Sequence, residues 1–320
     1  MDTIRIGVVG IGHLGTYHLQ KYHMLPHCSI AAVADTLEER ARGAADTYRC
    51  RAYTDYRAMQ DEVDAVSITV PTEHHHAVAR DFLARGIDVF LEKPIAKTLA
   101  EADDLIALAE SRSAILQVGL IERFNPAVTA LGHVITRPLF IESHRLHPFF
   151  SRGTDVDVIL DLMIHDLDII ISCVQSPVSG VDAVGVSVLS DKVDIANARV
   201  TFESGCVANI TASRISNKKM QKIRFFDMNG YHSVDYAKRE LLSLRRSITP
   251  AGATEITEND VAVEPCDPLE EEIRAFTGSV MTRTQPLVSG QEARKSLDLA
   301  LLILERIHTA QEIIRHDTDG

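Results

Sequence analysis

No stretch of this chain approaches the roughly 20 consecutive apolar residues that a membrane-spanning helix needs, although 45% of its 320 residues are apolar, enough to bury large cores. Cysteines are few and scattered. Cys28, Cys50, Cys173, Cys206 and Cys266 show no CxxC spacing, so neither a disulfide framework nor a zinc ribbon is indicated, and free thiols are expected. Basic charge is in deficit, with 33 Lys and Arg against 45 Asp and Glu and a net charge of −12. Such a chain repels phosphate backbones and anionic lipid at long range, so neither nucleic acid nor a membrane is an expected partner, while a local basic pocket stays open. The opening run MDTIRIGVVG passes straight into a strand pattern, without the basic segment, apolar stretch and small-residue cleavage site of a signal peptide. A soluble, cytoplasmic protein is expected. At roughly 100 to 200 residues per domain, its length implies two domains.

What is present begins with residues 3–10, TIRIGVVG, a β-branched and apolar strand that runs directly into GIGHLG. Gly10 permits the tight turn, Gly12 lets backbone approach a pyrophosphate, and Gly15 allows close packing of helix on strand. Ile11, His13 and Leu14 fill the rest of this turn, at a helix N-terminus whose free N–H groups and positive dipole end favour phosphate. Three glycines at this spacing also occur as a plain turn. The next strand, 29–34, ends in Asp35, 20 residues beyond Gly15, where a carboxylate can accept from the adenosine ribose hydroxyls. The alternative for Asp35 is a solvated cap on the helix from Leu37. A carboxylate there repels a 2′-phosphate, which favours NAD over NADP, although Arg40 and Arg42 lie on the next helix.

Strand-like 64–70, 88–92 and 114–119 alternate with helical 73–85 and 99–111. This is the pattern of a doubly wound parallel sheet, an α/β Rossmann domain over residues 1–120 whose ligands sit beyond the carboxyl ends of the strands. Two of those ends carry candidate cofactor contacts, first Pro71, Thr72 and His75, then Glu92 and Lys93. His74, His75 and His76 are adjacent, so on a helix they point about 100 degrees apart and cannot converge on one ion. No metal is expected, and His75 is read as the one turned toward the cleft. Lys93 follows a buried strand and precedes a proline that fixes the turn, which sets an ammonium beside the nicotinamide.

Residues 156–174, VDVILDLMIHDLDIIISCV, read as a largely buried helix. Asp157, Asp161, His165 and Asp168 recur at spacings of 4, 4 and 3 and fall on one stripe, with Asp166 off it. Unpaired carboxylates are costly to bury, so the stripe must meet a wet cleft, a partner charge or a ligand. Asp161, one turn before His165, can orient the imidazole as a general base for a hydroxyl proton. A structural His–Asp pair closing an interdomain seam is the alternative.

GIGHLG, Asp35, EKP at 92–94 and DxxxH from Asp161 to His165 occur in an order that resembles the glucose-fructose oxidoreductase and inositol dehydrogenase (Gfo/Idh/MocA) family, over nearly the whole chain. The resemblance implies Lys93, Asp161 and His165 as the catalytic group, with His165 exchanging the substrate hydroxyl proton, Asp161 orienting it and Lys93 polarising the reacting oxygen. It places the active site between the domains. It also implies a second, α+β domain over 121–320 with a large, open, mostly antiparallel sheet. Alternating segments at 140–146, 181–189, 196–202, 206–213, 222–228 and 232–236, followed by an amphipathic helix over 291–309, support this independently. An open sheet face implies a homodimer or homotetramer.

Within that family ERFNP at 122–126, SHRLHPF at 143–149, 152–169 and ASRIS at 212–216 are similar to the UDP-N-acetylglucosamine 3-dehydrogenases. The resemblance implies a sugar or nucleotide-sugar substrate, with Arg123, Asn125, Arg145 and Arg152 as contacts and Arg214, Lys218 and Lys219 as further cations. An inositol or simple-sugar dehydrogenase and a non-catalytic dinucleotide-binding sensor are the alternatives. A methyltransferase fits Asp35 and EKP less well.

Overall fold

The computed structural model describes residues 3–149, 156–249 and 252–318, with side chains described up to 312. The chain forms two units, Met1–Ile121 with Asp267–Arg294 and Glu122–Cys266 with Lys295–Gly320. This differs from a single division at residue 120, because the chain returns to the first unit after 266.

The first unit is a six-stranded parallel sheet in the order β3-β2-β1-β4-β5-β6. Its strands are β1 (Ile4–Val9), β2 (Cys28–Ala34), β3 (Arg51–Tyr53), β4 (Ala65–Ile68), β5 (Asp88–Glu92) and β6 (Leu116–Gly119), and its first helices are α1 (His13–Met24), α2 (Glu38–Tyr48), α3 (His75–Leu83) and α4 (Leu99–Arg112). Helices cover both faces of such a sheet, so central strands lose the in–out alternation and become apolar throughout. β4 is buried at every position, and β1 at all but Arg5, whose guanidinium reaches Asp64 at 2.6 Å. Strand order reverses between β1 and β4, which makes the ends of those strands the ligand-binding crevice of this fold.

The returning segment carries α7 (Pro268–Thr282), whose N-cap Asp267 accepts from the amides of Leu269 and Glu270. α7 packs on α1. Phe276 meets Phe90 edge-on at 5.7 Å, Gln117 donates to the Glu272 carbonyl, and Arg283 reaches Asp88. Without this segment Phe90 and Gln117 would face water, which is why the sheet needs it.

The second unit opens with α5 (Pro126–Leu131) and an eight-stranded sheet in the order β14-β13-β12-β11-β7-β10-β9-β8. The strands are β7 (Phe140–Leu146), β8 (Val178–Val186), β9 (Ile195–Phe202), β10 (Val207–Ser213), β11 (Met220–Phe226), β12 (Gly230–Asp235), β13 (Glu240–Ile248) and β14 (Thr254–Glu258), and every neighbouring pair is antiparallel except β7 with β10. Burial alternates along β7 and β9, so one face is covered and the other open. Val158 is followed by a π-helical turn, Ile159–Met163, that continues as α6 (Ile164–Val174) and lies on the covered face against β7 and β10. The last helix, α8 (Gly290–Thr318), starts within the first unit and continues in the second. Among the described residues no helix is long and apolar enough to cross a membrane.

Candidate active site

In the first unit the glycine turn has the shape its sequence requires. Gly10 has φ +92, and a Cβ there would stand 2.9 Å from the Thr69 backbone, while a Cβ on Gly15 would stand 2.0 Å from the Gly10 carbonyl. Both positions exclude any side chain. A Cβ on Gly12 meets nothing within 4 Å, so the open space lies in front of α1. Gly12 is also the N-cap of α1, no side chain caps that helix, and its first turn holds no acid. The N–H groups of this turn, including those of His13 and Leu14, are therefore presented to an anion, as a dinucleotide pyrophosphate requires.

Asp35 is buried beside this turn, where its Oδ2 accepts from the Ile11 amide at 2.7 Å and its Oδ1 from the Leu37 amide at 2.8 Å. The N-cap of α2 is Leu37 rather than Asp35, so the carboxylate belongs to the glycine turn. Each of its oxygens keeps a lone pair for a ribose hydroxyl. Arg42 is paired with Glu38 at 2.6 Å.

Beyond β4, Pro71 is exposed and Thr72 opens a short 3-10 turn that leads into α3. The three histidines part company there. His74 lies by Glu73 at 3.7 Å and His76 by Asp104 at 2.7 Å, whereas His75 is 1% exposed with Nδ1 2.7 Å from the Pro94 carbonyl and Nε2 3.0 Å from that of Val70. The expectation that His75 turns toward the cleft is thus corrected: its ring is enclosed by two loops. The Glu92 Oε1 meets His18 Nε2 at 3.1 Å and its Oε2 accepts from the Lys93 amide at 3.3 Å. Lys93 is half-buried.

His18 was not anticipated. It is fully buried on α1 with Gly15, Leu19 and Tyr22, at helical spacing, and a histidine on an apolar stripe was the available signal.

In the second unit the regular stripe breaks. The π turn takes more residues per turn than an α-helix, so positions before and after it lose their common phase. Asp157 accepts from the Val193 amide at 2.8 Å. Asp168 is buried, with Arg123 donating to both of its oxygens at 2.7 and 3.1 Å and Ser296 to one at 3.2 Å. Both therefore serve the framework. Asp161 and His165 are half-buried, as Asp157 is.

Three of the residues proposed for substrate contact also have framework duties. Arg145 is 3% exposed, donates to both oxygens of Asp166 and to Glu122 at 2.9 Å, and lies 4.6 Å from the Tyr236 ring centroid. Arg123 is committed to Asp168. Asn125 caps α5 through the Ala127 amide and donates to Glu122 and the Tyr236 carbonyl. For Arg145 the cause is its place on the covered face of the sheet, where a buried guanidinium is costly without a carboxylate beside it. Arg152 lies outside the described residues. Arg214 is 1% exposed and donates to Asp194 and to the carbonyls of Val156 and Val193, while Lys218 and Lys219 are exposed on the turn between β10 and β11.

Comparison with known proteins agrees with this architecture. Residues 4–120 match the model of an oxidoreductase family with an NAD-binding Rossmann fold, and residues 133–231 match the GFO/IDH/MocA C-terminal domain. The UDP-N-acetylglucosamine 3-dehydrogenase of Acidithiobacillus ferrooxidans is 37% identical over 276 residues, 86% of this chain and 88% of that protein. Its solved structure superposes with a TM-score of 0.88 at 36% identity, covering 97% of this chain and 99% of the other. The myo-inositol 2-dehydrogenase of Thermotoga maritima is 26% identical over 313 residues, 92% of this chain and 93% of that one. A levoglucosan dehydrogenase solved with NADH and L-sorbose shares the fold, with a TM-score of 0.86, 18% identity, and coverage of 97% of this chain and 98% of that chain.

Proposed function

The chain belongs to the GFO/IDH/MocA oxidoreductase family, and from that premise we propose that it is an NAD-dependent dehydrogenase that oxidises the 3-hydroxyl of UDP-N-acetylglucosamine to a ketone. NAD, bound at the glycine turn and Asp35, supplies the hydride acceptor. His165 takes the hydroxyl proton as the C–H bond gives up its hydride, and Asp161 one turn earlier orients the ring. Lys93 stands by the reacting oxygen and stabilises the charge that develops as the O–H bond breaks. What supports this reading is the 37% identity over 86% of the chain to the UDP-N-acetylglucosamine 3-dehydrogenase of Acidithiobacillus ferrooxidans, together with a glycine turn and a buried Asp35 that suit a dinucleotide.

One observation favours a second reading, an inositol or other uncharged polyol as substrate: Arg123, Arg145 and Arg214, nominated for a diphosphate, each sit on a carboxylate. Incubating the protein and NAD with UDP-N-acetylglucosamine, myo-inositol, scyllo-inositol and glucose and following NADH absorbance decides between them. Fastest NADH formation with the nucleotide sugar is expected. NADH binding with no turnover of any of these would instead indicate a sensor.

The open sheet face is the proposed surface for a homo-oligomer, because the rings of Phe140, Phe226 and Tyr231 form a partly exposed cluster there, with centroids 5.6 and 5.1 Å apart. Phe226→Arg is expected to lower the mass measured by light scattering.

A further inference from the structure

Lys93 has two chain neighbours, and each is held by a buried histidine from a different helix. On one side is Glu92, whose Oε1 lies 3.1 Å from Nε2 of His18 on α1. Nδ1 of the same ring lies 2.9 Å from Ser67 Oγ in the middle of β4, and Tyr22 OH approaches that hydroxyl at 3.2 Å. His18, Ser67 and Tyr22 are all fully buried. A Cβ on Gly119 would stand 3.1 Å from the Glu92 carboxylate, so β6 closes the remaining side. On the other side is Pro94, whose carbonyl lies 2.7 Å from Nδ1 of His75 at the start of α3. The opposite nitrogen of that ring lies 3.0 Å from the Val70 carbonyl at the end of β4. A neutral imidazole donates from one nitrogen and an imidazolium from both, so in either state the ring ties at least one of these two loops.

None of this network is required to build a doubly wound sheet. Strand order and the glycine turn follow from the apolar strands and the glycine spacing, neither of which calls for a buried histidine. Buried polar groups carry a desolvation cost when badly matched, so a chain of them through the centre of the unit calls for another reason. The reason lies in what it surrounds. Burial would raise the pKa of the Glu92 carboxyl, but the hydrogen bond and charge of His18 bring it below the ordinary range, so Glu92 is held as a carboxylate against the Lys93 amide. An ammonium on a flexible four-carbon stem can be aimed only if its own backbone is fixed.

We propose that His18 and His75 are positioning residues that clamp the two neighbours of Lys93 and so fix where its ammonium stands. This rests on Lys93 acting as proposed above. Neither histidine touches a reacting atom. His18 acts through Glu92, and His75 acts through the Pro94 carbonyl.

The first test needs no substrate. Amide hydrogen exchange over 92–96 is compared with that of β5 in wild type, His75→Phe and His18→Phe, and with His75→Asn and His18→Gln, which keep an N–H aimed at Pro94 or Glu92. Loss of a clamp should speed exchange of the Lys93 and Ile95 amides by about tenfold or more, leave β5 within about twofold, and be partly restored in the Asn and Gln variants. Unchanged exchange at 92–96, or equal acceleration throughout the unit, overturns the proposal. Should the Phe variants fail to fold, the Asn and Gln variants carry the same comparison with a smaller effect.

The second test reads turnover with NAD and UDP-N-acetylglucosamine alongside NADH affinity from NADH's own emission. His75→Phe should lower kcat by about 30-fold with NADH affinity within about threefold, and should cost nothing further once Lys93 is already methionine. An equal loss in the Lys93→Met background overturns it. If wild type does not turn over this sugar, the substrate assignment falls while the exchange result still decides the clamp.

Discussion

The two segments proposed to carry the chemistry are held in this protein by different physics. Around Lys93 the partners are uncharged or mixed: imidazole rings, backbone carbonyls, a serine and a tyrosine, with one carboxylate among them. Behind Asp161 and His165 the partners are ion pairs, with Arg145 on Asp166 and Glu122 and Arg123 on Asp168, in positions one and three residues past His165. Short hydrogen bonds with directional donors suit a turn whose backbone angles must be set. A helix is already rigid, so it needs instead to be anchored by its back face, and a bidentate guanidinium does that in one contact. The comparison teaches that residues flanking a reactive group can reveal its support even where they do no chemistry.

The largest effect expected is chemical. His165→Ala should lower turnover by about three orders of magnitude or more while NADH affinity stays within about threefold, because a general base acts in the transition state and not in cofactor binding. Lys93→Met should behave similarly. Equal loss of cofactor affinity in either variant would remove the assigned role and with it the contrast between reactive and supporting residues.

Next comes the anchoring pair. Arg145→Met leaves Asp166 and Glu122 buried without their cation and is expected to cost about 3–5 kcal/mol in urea unfolding, of which Asp166→Leu in the same chain should return at least half. The corresponding cost for His18→Gln should be nearer 1 kcal/mol, the usual worth of one hydrogen bond. If the two costs came out alike, the difference in how the segments are held would be one of appearance only.

How much of this was legible in the sequence follows from the same contrast. The glycine turn, Asp35 and the alternating pattern place the Rossmann unit because they are local requirements of chain geometry, and Gly10 and Gly15 are found at positions where a Cβ does not fit. The helix over 156–174 was legible as an apolar element with acids, but the π turn at Ile159–Met163 was not, because nothing in a residue's identity announces an extra residue per turn. A constant helical phase therefore grouped Asp157, which precedes the turn, with His165 and Asp168, which follow it. Arginine is ambiguous for a related reason. Arg145 points inward on β7, in step with Ile141 and Ser143, and inward placement implies a carboxylate partner, a signal that outweighs the attraction of a basic residue for phosphate. The segment 267–294 gave no sign of rejoining the first unit, because α7's apolar stripe fits any complementary surface.

A smaller effect probes the second unit's ion pairs by pH. Burial would raise the pKa of Asp194, but the amides of Leu189 and Val188, the Ser190 hydroxyl and the Ser190 amide together hold it below the ordinary carboxyl range, and Arg214 donates to it at 2.9 Å. A depressed folded-state pKa contributes stability that is present above the unfolded value, near pH 4, and is lost as pH falls toward the folded one. Asp194→Asn should therefore cost about 2 kcal/mol at pH 7 and progressively less below pH 4, read as urea midpoints. A cost that stays constant with pH would assign the loss to packing instead of charge.

The last effect, comparable to that of His18→Gln, concerns Asp35, which is proposed to do two jobs in the first unit. Its oxygens hold the Ile11 and Leu37 amides, and its charge is proposed to face the adenosine 2′ substituent. The jobs separate by cofactor. If Asp35 serves only to shape the glycine turn, Asp35→Asn weakens NADH and NADPH by the same factor, since both bring the same pyrophosphate to that turn. If it also reads the ribose, removing the charge weakens NADH by about tenfold, or 1.4 kcal/mol, while NADPH, relieved of repulsion by its 2′-phosphate, holds or gains affinity. The measured quantity is the ratio of the two dissociation constants, taken from the emission of the reduced nicotinamide, which is read without interference because the chain contains no tryptophan. An unchanged ratio removes Asp35 from cofactor choice and leaves it a turn residue, supported by hydrogen bonds to backbone as Lys93 is.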